Sequence, residues 1–453
     1  MGEHIFYKNS KTAENLQDIN GRLSTMPNDT RFVFPQPKTL DGLIQVSKPC
    51  TLFFEDGAEN MFVGDIGGIR VNSNDVLIRH PQVRGSGSHT RMPNQIGIAV
   101  GDRHNPNLKT KNIRIEDPEI RDFGFGGIIP AYVDFFEVER FKISNIEYAG
   151  IMLLSCSNFM VYDGEVSSVG TRHPQGSSEN AYGVVATRMT TSDVFISRSK
   201  HGIIQKVKCV WIPTWEAYDT HGGEDIIFIM CHAINCSTWM MIGGDGERDA
   251  AKNIRIEYCE AEVNHPYITP KHGLAIAGLD VGNAPVEEVK LNSVKLTGFG
   301  DPNNSLGAYS IYCRDTRKMS LQNLTVNNGI GSAVFLYYGN NFDIAGLSVN
   351  ANRPDRFNYD FAVQINNKFR SNSGSIGKIL GSTQGVYNKT EENIIIDGHT
   401  PLSKPKYIDP PVRPFSDDHP SVSISLPLTG NAIVKDKLIG IRNNLNEVIN
   451  GIS

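Results

Sequence analysis

Cysteine is scarce: the 453 residues hold seven (Cys50, Cys156, Cys209, Cys231, Cys236, Cys259 and Cys313), an odd number with no CxxC spacing. That pattern excludes a disulfide framework and a cysteine-based zinc site, and thiols scattered through apolar text read as small buried hydrophobes. No apolar run approaches the roughly 18 residues that cross a bilayer, and the opening MGEHIFYKNSKTAENLQ has no apolar signal core. The expectation is a chain made in the cytosol, without a signal peptide and without membrane insertion. An excess of one charge is missing too. Forty-four Lys and Arg against forty-nine Asp and Glu leave a net charge of −5, so no global field draws the chain to nucleic acid or an anionic membrane. Helical periodicity is almost absent between residues 30 and 400.

What remains is apolar enough to fold, with 39% hydrophobic and 21% charged residues. One pattern recurs from residue 112 to residue 396: a polar residue, often Asn or Asp, then two apolar residues separated by one position. The copies are NIRI (112–115), RFKI (140–143), NFMV (158–161), DVFI (193–196), DIIF (225–228), NIRI (253–256), EVKL (288–291), KMSL (318–321), NFDI (341–344) and NIII (393–396). A second series of short apolar strands interleaves with it: GIMLL (150–154), GVVA (183–186), WEAY (215–218), WMMI (239–242), GLAI (273–276), YSIY (309–312) and AVFL (333–336). Both alternate with period two. Strands that cannot bury their apolar edge alone, repeated once per turn with variable loops between them, describe a solenoid, here an all-β parallel β-helix. Asn and Asp suit its corners because they tolerate left-handed backbone and bond their own main chain.

The ends differ from the middle. TAENLQDINGRL (12–23) sets Leu16, Ile19 and Leu23 on one helical face, which predicts a capping helix over the open first coil. Seven prolines between Pro401 and Pro427 predict an extended connector without a regular ladder. Beyond it Val434, Leu438, Ile441, Leu445, Val448 and Ile452 follow the a/d spacing of a coiled coil. A helix packed back on its own solenoid would show the same pattern, and self-association, as a homotrimer, is the preferred reading. The expected organisation is an N-terminal cap and first strands (1–60), a parallel β-helix (61–400), a Pro-rich connector (401–430) and a C-terminal oligomerisation helix (431–453).

Functional side chains concentrate in WEAYDTHGGED, residues 215–225. Alternation places Asp219 and His221 on one face, outward if Tyr218 points in. A lone Asp or His on a solenoid is ordinarily a ladder residue. The pair, with Gly222 and Gly223 keeping the surface open beside it, reads instead as a catalytic site. Counting by repeats puts Thr187 and Arg188 one coil back from Asp219. One coil forward it puts Gly243 under Asp219 and Asp245 under His221, with Asp280 and Arg314 farther along. Glu216 is expected to point inward beside Val184, Met240 and Leu274, where burial would keep it protonated. Trp215 is expected on the outward row, where an indole can stack on a sugar ring. Arg188, Trp215, Asp245 and Arg248 are the candidate substrate-binding residues. Asp219, His221, Glu216 and Tyr218 are the candidate catalytic ones. His232, His265 and His272 have no metal-ligand spacing, so no metal or other cofactor is assigned, a divalent cation remaining compatible with the sequence.

The Asp219-Thr220-His221-Gly222-Gly223 segment resembles a motif of right-handed parallel β-helix carbohydrate-active enzymes, the alginate lyase and mannuronan epimerase group. Their pattern is a Tyr, two residues, then Asp-x-His and a Gly-containing turn before an Asn-apolar strand. Here the Tyr position falls on Glu216, with a tyrosine at Tyr218. The wider layout resembles a bacteriophage tailspike or appendage depolymerase. These resemblances imply a right-handed β-helix that cleaves a capsular, exopolysaccharide or teichoic-acid chain, placed on a virion tail or outside the cell. Three chemistries stay open. Elimination from a uronic acid would use His221 as base, Asp219 to orient it, Arg188 on the carboxylate and Tyr218 or Glu216 as acid. Hydrolysis would pair Asp219 with Asp245 or Glu216. Cleavage of a phosphodiester would place Arg188 or Arg248 on the phosphate. A glycan-binding fibre without catalysis is the alternative of another class.

Overall fold

An apolar side chain at every second position needs an interior, and a short strand acquires one only by stacking on its copies. The computed structural model describes residues 4–5, 15–87, 93–171, 180–188, 198–244, 250–278, 285–301, 309–353, 361–366, 373–381, 386–388, 394–396 and 406–408. Through them the strands pair in parallel from coil to coil and build a parallel β-helix.

Its interior consists of columns of aligned side chains. One runs Ile44, Ile69, Ile98, Ile128, Ile151, Val184, Tyr218, Met240, Leu274, Ile311, Val334, Val363, Val386. All of these are fully buried, and each contributes about 1.5–3 kcal/mol relative to exposure. A second column carries the polar-apolar repeats: Ile115, Val138, Val161, Ile204, Phe228, Ile256, Leu291, Leu321, Ile344. Two copies read from the sequence do not sit in it. RFKI belongs to a third face, where Ile143 stacks between Ile120 and Val166. DVFI lies outside the described residues, and the rung between NFMV and DIIF is HGII, residues 201–204.

Each coil enters the second face through a left-handed residue. Asn112, Asn158, His201, Asp225, Asn253, Glu288, Lys318 and Asn341 all have φ between 51° and 58°. Asn and Asp at this corner also bond one another along the axis, Asn112 Nδ2 donating to Asp75 Oδ1 and Asn253 Nδ2 to Asp225 Oδ1, each at 2.6 Å.

The helix Leu16–Thr25 starts at Asn15, whose side chain accepts from the Asp18 amide. It buries Ile19 and Leu23 in the core. Asn20 ties it to the strand Lys38–Val46, donating to Leu43 O and accepting from the Gln45 amide. At the other end Lys406–Ile408 pairs antiparallel with Val386–Asn388, so the proline-rich segment does contain a rung where no ladder was expected: its three residues fall between Pro405 and Pro410 and need no donor from proline. The C-terminal heptads lie outside the described residues. All seven cysteines are free and buried. No helix among the described residues is long and apolar enough to cross a membrane.

Candidate functional site

The strand Lys200–His221 runs through three faces, placing Ile204, Cys209 and Tyr218 in successive columns, and its last residues line a cleft. Alternation there is inward for Tyr218 and Thr220 and outward for Asp219 and His221. Gly222 follows with φ 75°. At Gly223 a Cβ would stand 2.1 Å from Thr220 Oγ1 and 2.5 Å from Ile226 Cδ1, so the turn that ends the strand has no room for a side chain.

Asp219 and His221 form the site's central contact. Asp219 is fully buried, and its Oδ2 lies 2.7 Å from His221 Nδ1, while the imidazole is 30% exposed. A carboxylate at that distance holds the proton on Nδ1 and leaves Nε2 as the basic nitrogen. The cleft has a volume of about 560 Å³, and both residues line it together with Thr187, Arg188, Tyr182, Asn180, Tyr148, Phe125, Arg103 and His104.

Coil register brings these residues together. Ala149 pairs with Tyr182, and Tyr182 with Glu216. Tyr182 is 7% exposed and receives a hydrogen bond from Asn180 Nδ2 at 2.9 Å. Burial first, then the charges of Asp219 and Glu216, push its pKa above the ordinary tyrosine value, so its hydroxyl is held as a proton donor. Tyr148 meets Tyr182 edge-on at 5.5 Å and Phe125 at 4.8 Å, and the Arg103 guanidinium lies 4.6 Å above the Phe125 ring. Burial and the neighbouring Arg70 disfavour the Arg103 charge. An anion in the cleft would relieve both.

Several expectations need correction. Tyr218 cannot serve as an acid in the cleft: its hydroxyl lies in the core, 2.7 Å from Val207 O and 3.0 Å from His232 O. Val184, Met240 and Leu274 surround Tyr218, not Glu216. Glu216 pairs instead with Tyr182 and Thr238, two residues from the expected rung. It is nonetheless buried, and burial followed by the Asp219 charge raises its pKa well above 4.5 against the opposing Lys271. Its Oε2 is buried with no hydrogen-bond partner among the described residues. Trp215 is half-buried, with Lys271 Nζ 4.4 Å over one face of its ring.

Counting from Asp219 was also two residues out. Asp219 pairs with Val185 and Met241, and His221 with Gly243. Thr187, expected under Asp219, lies instead beside His221, its Oγ1 donating to His221 O at 3.1 Å. A break in register between Ile212 and Glu216 precedes these rungs. A two-residue slip preserves the face each side chain occupies, which is why the outward reading of Asp219 and His221 agrees with the cleft. Arg188 lines the cleft. Asp245, Arg248 and Asp280 lie outside the described residues. Among the described residues no group of three or more His, Cys, Asp or Glu side chains is placed to hold a metal ion.

Sequence reasoning missed Tyr182, Tyr148, Phe125 and Arg103. The signal available for Tyr182 was small: it opens the strand Tyr182–Thr187, whose repeat was read as starting at Gly183.

The chain matches no protein-family model and no curated protein sequence. Solved structures do resemble it. The catalytic unit of a thermostable GH87 α-1,3-glucanase from Streptomyces thermodiastaticus superposes with a TM-score of 0.59 at 11% identity, over 82% of this chain and 67% of that one. The catalytic domain of a GH87 α-1,3-glucanase in complex with nigerose gives 0.51 at 11%, over 80% and 68%. The pre-mature gene product 12 of bacteriophage phi29 gives 0.56 at 12%, over 84% of this chain and 55% of that protein. At such identities the likeness is one of fold, and the chain is a parallel β-helix similar to those of the α-1,3-glucanases and the phage protein.

Proposed function

We propose that this protein cleaves a cell-surface or extracellular polysaccharide containing uronic acid, by β-elimination. The observation that carries the reading is the buried Asp219 carboxylate 2.7 Å from His221 Nδ1 at the edge of a cleft. His221 Nε2 takes the proton from C5 of the uronate. The electron pair forms the C4–C5 double bond as the C4–O bond breaks, and the leaving oxygen takes the Tyr182 phenolic proton. Asp219 orients the imidazole and balances its positive charge. Arg103 and Arg188, which both line the cleft, would neutralise the sugar carboxylate and so make the C5 proton easier to remove.

Asp219 is the one carboxylate among the described residues lining the cleft, and it is engaged with His221. Hydrolysis needs two carboxyl groups facing the scissile bond. That second reading rests on Glu216, whose pKa burial and the Asp219 charge raise above the ordinary carboxylate range, and on the likeness in fold to α-1,3-glucanases.

Mass spectrometry of products from a panel of uronate, capsular and teichoic polysaccharides tests the proposal. Elimination yields chains lacking the water that hydrolysis adds. His221→Ala should lower turnover by about 10²–10⁴-fold while glycan binding persists. Equal turnover in the variant removes His221 from the mechanism, and binding without cleavage in the wild-type protein makes this a glycan-binding fibre.

A further inference from the structure

Asp219 belongs to an outward row that runs back toward the N-terminal coils, one position per coil, through Val185, Met152, Ile129 and Ala99 to Arg70. Five coil spacings, about 24 Å, separate the two ends. The positions between them are all apolar and belong to one packed cluster, so the row offers Arg70 no counter-ion. Its neighbour on the other side is the neutral Gln45.

Arg70 is half-buried, and its Nε is buried with no hydrogen-bond partner among the described residues. A second guanidinium stands beside it. Arg103 follows the strand Gln95–Val100 that carries Ala99, lines the cleft together with His104, and is close enough to Arg70 for that charge to disfavour its own. Arg103 donates from Nε to His104 Nε2 at 3.0 Å and from Nη2 to Pro93 O at 3.2 Å, and its guanidinium lies over the Phe125 ring. None of these partners is a carboxylate. Asp102 favours the Arg103 charge, but its Oδ1 already accepts from the His104 amide at 2.9 Å. Two cations held together away from bulk water oppose each other until an anion joins them.

We propose that Arg70 anchors a second carboxylate of the polysaccharide, on a ring farther along the chain than the one at Asp219 and His221. The inference rests on the proposed function and deepens it, because the substrate is then a chain that is acidic at more than one ring. Arg70 is too far from His221 to serve the ring that reacts. It lies beyond the end of the cleft that Arg103 and His104 line, so a chain leaving His221 along the cleft arrives at it. Charge complementarity and the continuous row from Asp219 identify the occupant as the glycan. A chain already held at His221 delivers its next carboxylates to Arg70 at high effective concentration, an advantage that a free anion lacks.

Two arms test this with the full-length chain. In the first, kcat/KM is measured on uronate oligosaccharides of graded length and on the polymer. Arg70→Met is expected to lower it by about tenfold, through KM, with the loss confined to substrates long enough to reach Arg70. Added salt should bring the wild-type protein toward the variant, and Arg70→Lys, which keeps the charge, should retain most of the polymer activity. Without glycan, Tm of Arg70→Met should be equal or higher, since one of two opposed cations is gone. Equal loss at every length, no loss at any, or the same loss in Arg70→Lys overturns the inference and leaves the His221 dependence of cleavage in place. In the second arm, the Tm of the His221→Ala chain is followed with polymannuronate, polyguluronate, polygalacturonate or inorganic phosphate. A rise with a polyuronate that shrinks on adding Arg70→Met supports the anchor. A rise that Arg70→Met leaves intact overturns it alone, and an equal, Arg70-dependent rise with phosphate makes this a free-anion site and overturns the glycan assignment. No rise with any of the three polyuronates overturns it together with the proposed substrate.

Discussion

Asp219→Asn isolates the electrostatic part of the proposed mechanism from its geometry. Asparagine fills the same volume and can still accept from His221 Nδ1, so the imidazole keeps its position while the balancing charge is lost. Asp219 is fully buried and 2.7 Å from Nδ1, a charge-assisted hydrogen bond in a site with little water. Such bonds contribute about 1.5–3 kcal/mol. The charge on His221 appears only as it takes the C5 proton, so nearly all of that energy belongs to the transition state. The expected result is a fall in kcat of between about tenfold and about 150-fold with KM little changed. Thermal unfolding should be unchanged or higher, because a buried carboxylate beside Glu216 and Tyr182 is itself costly to desolvate. Steady-state kinetics on the cleaved polysaccharide, with Tm measured in parallel, reads both quantities. A normal kcat in Asp219→Asn would refute the role of the carboxylate. A raised KM at normal kcat would move Asp219 into substrate binding.

Glu216→Gln should flatten the dependence of stability on pH. The folded-state pKa of Glu216 lies above its ordinary 4.5, so its contribution to stability is complete below 4.5 and is lost as pH rises toward the folded value. The wild-type protein should therefore lose up to about 1.4 kcal/mol per pH unit relative to the Gln variant through that window in urea titrations, and parallel curves would show that Glu216 ionises normally. The tyrosine pair is expected to divide cleanly. Tyr218→Phe leaves the buried Val207 and His232 carbonyls short of a donor and should cost about 1–2 kcal/mol of stability with turnover retained. Tyr182→Phe should cut turnover by about 10²-fold or more with stability nearly unchanged. The opposite assignment, activity lost in the Tyr218 variant alone, would relocate the proton donor.

The features legible in the sequence were those that depend on neighbours along the chain. Period-two alternation put Asp219 and His221 on one face and Tyr218 on the other, and the polar-apolar repeats NIRI, NFMV, DIIF and EVKL lie in one column at left-handed corners. Rung assignments were less accessible, because loops of unequal length separate the strands and the break between Ile212 and Glu216 shifts the count by two. That break puts Gly243 beneath His221 and Thr238 beside Glu216, while toward the N-terminal coil the spacing from DVFI misleads because the rung before DIIF is residues 201–204, so that Val185 lies beside Asp219 and Tyr182 beside Glu216.

The tertiary structure alone decided what surrounds the pair. Tyr182 comes from the preceding coil and Phe125, Tyr148 and Arg103 from coils farther back, and no local pattern marks them as partners of His221. Which face a side chain takes follows from covalent backbone geometry within a few residues. Which side chains share a cleft follows from the stacking of whole coils, where packing of the buried columns sets the register and each loop absorbs whatever length is left over.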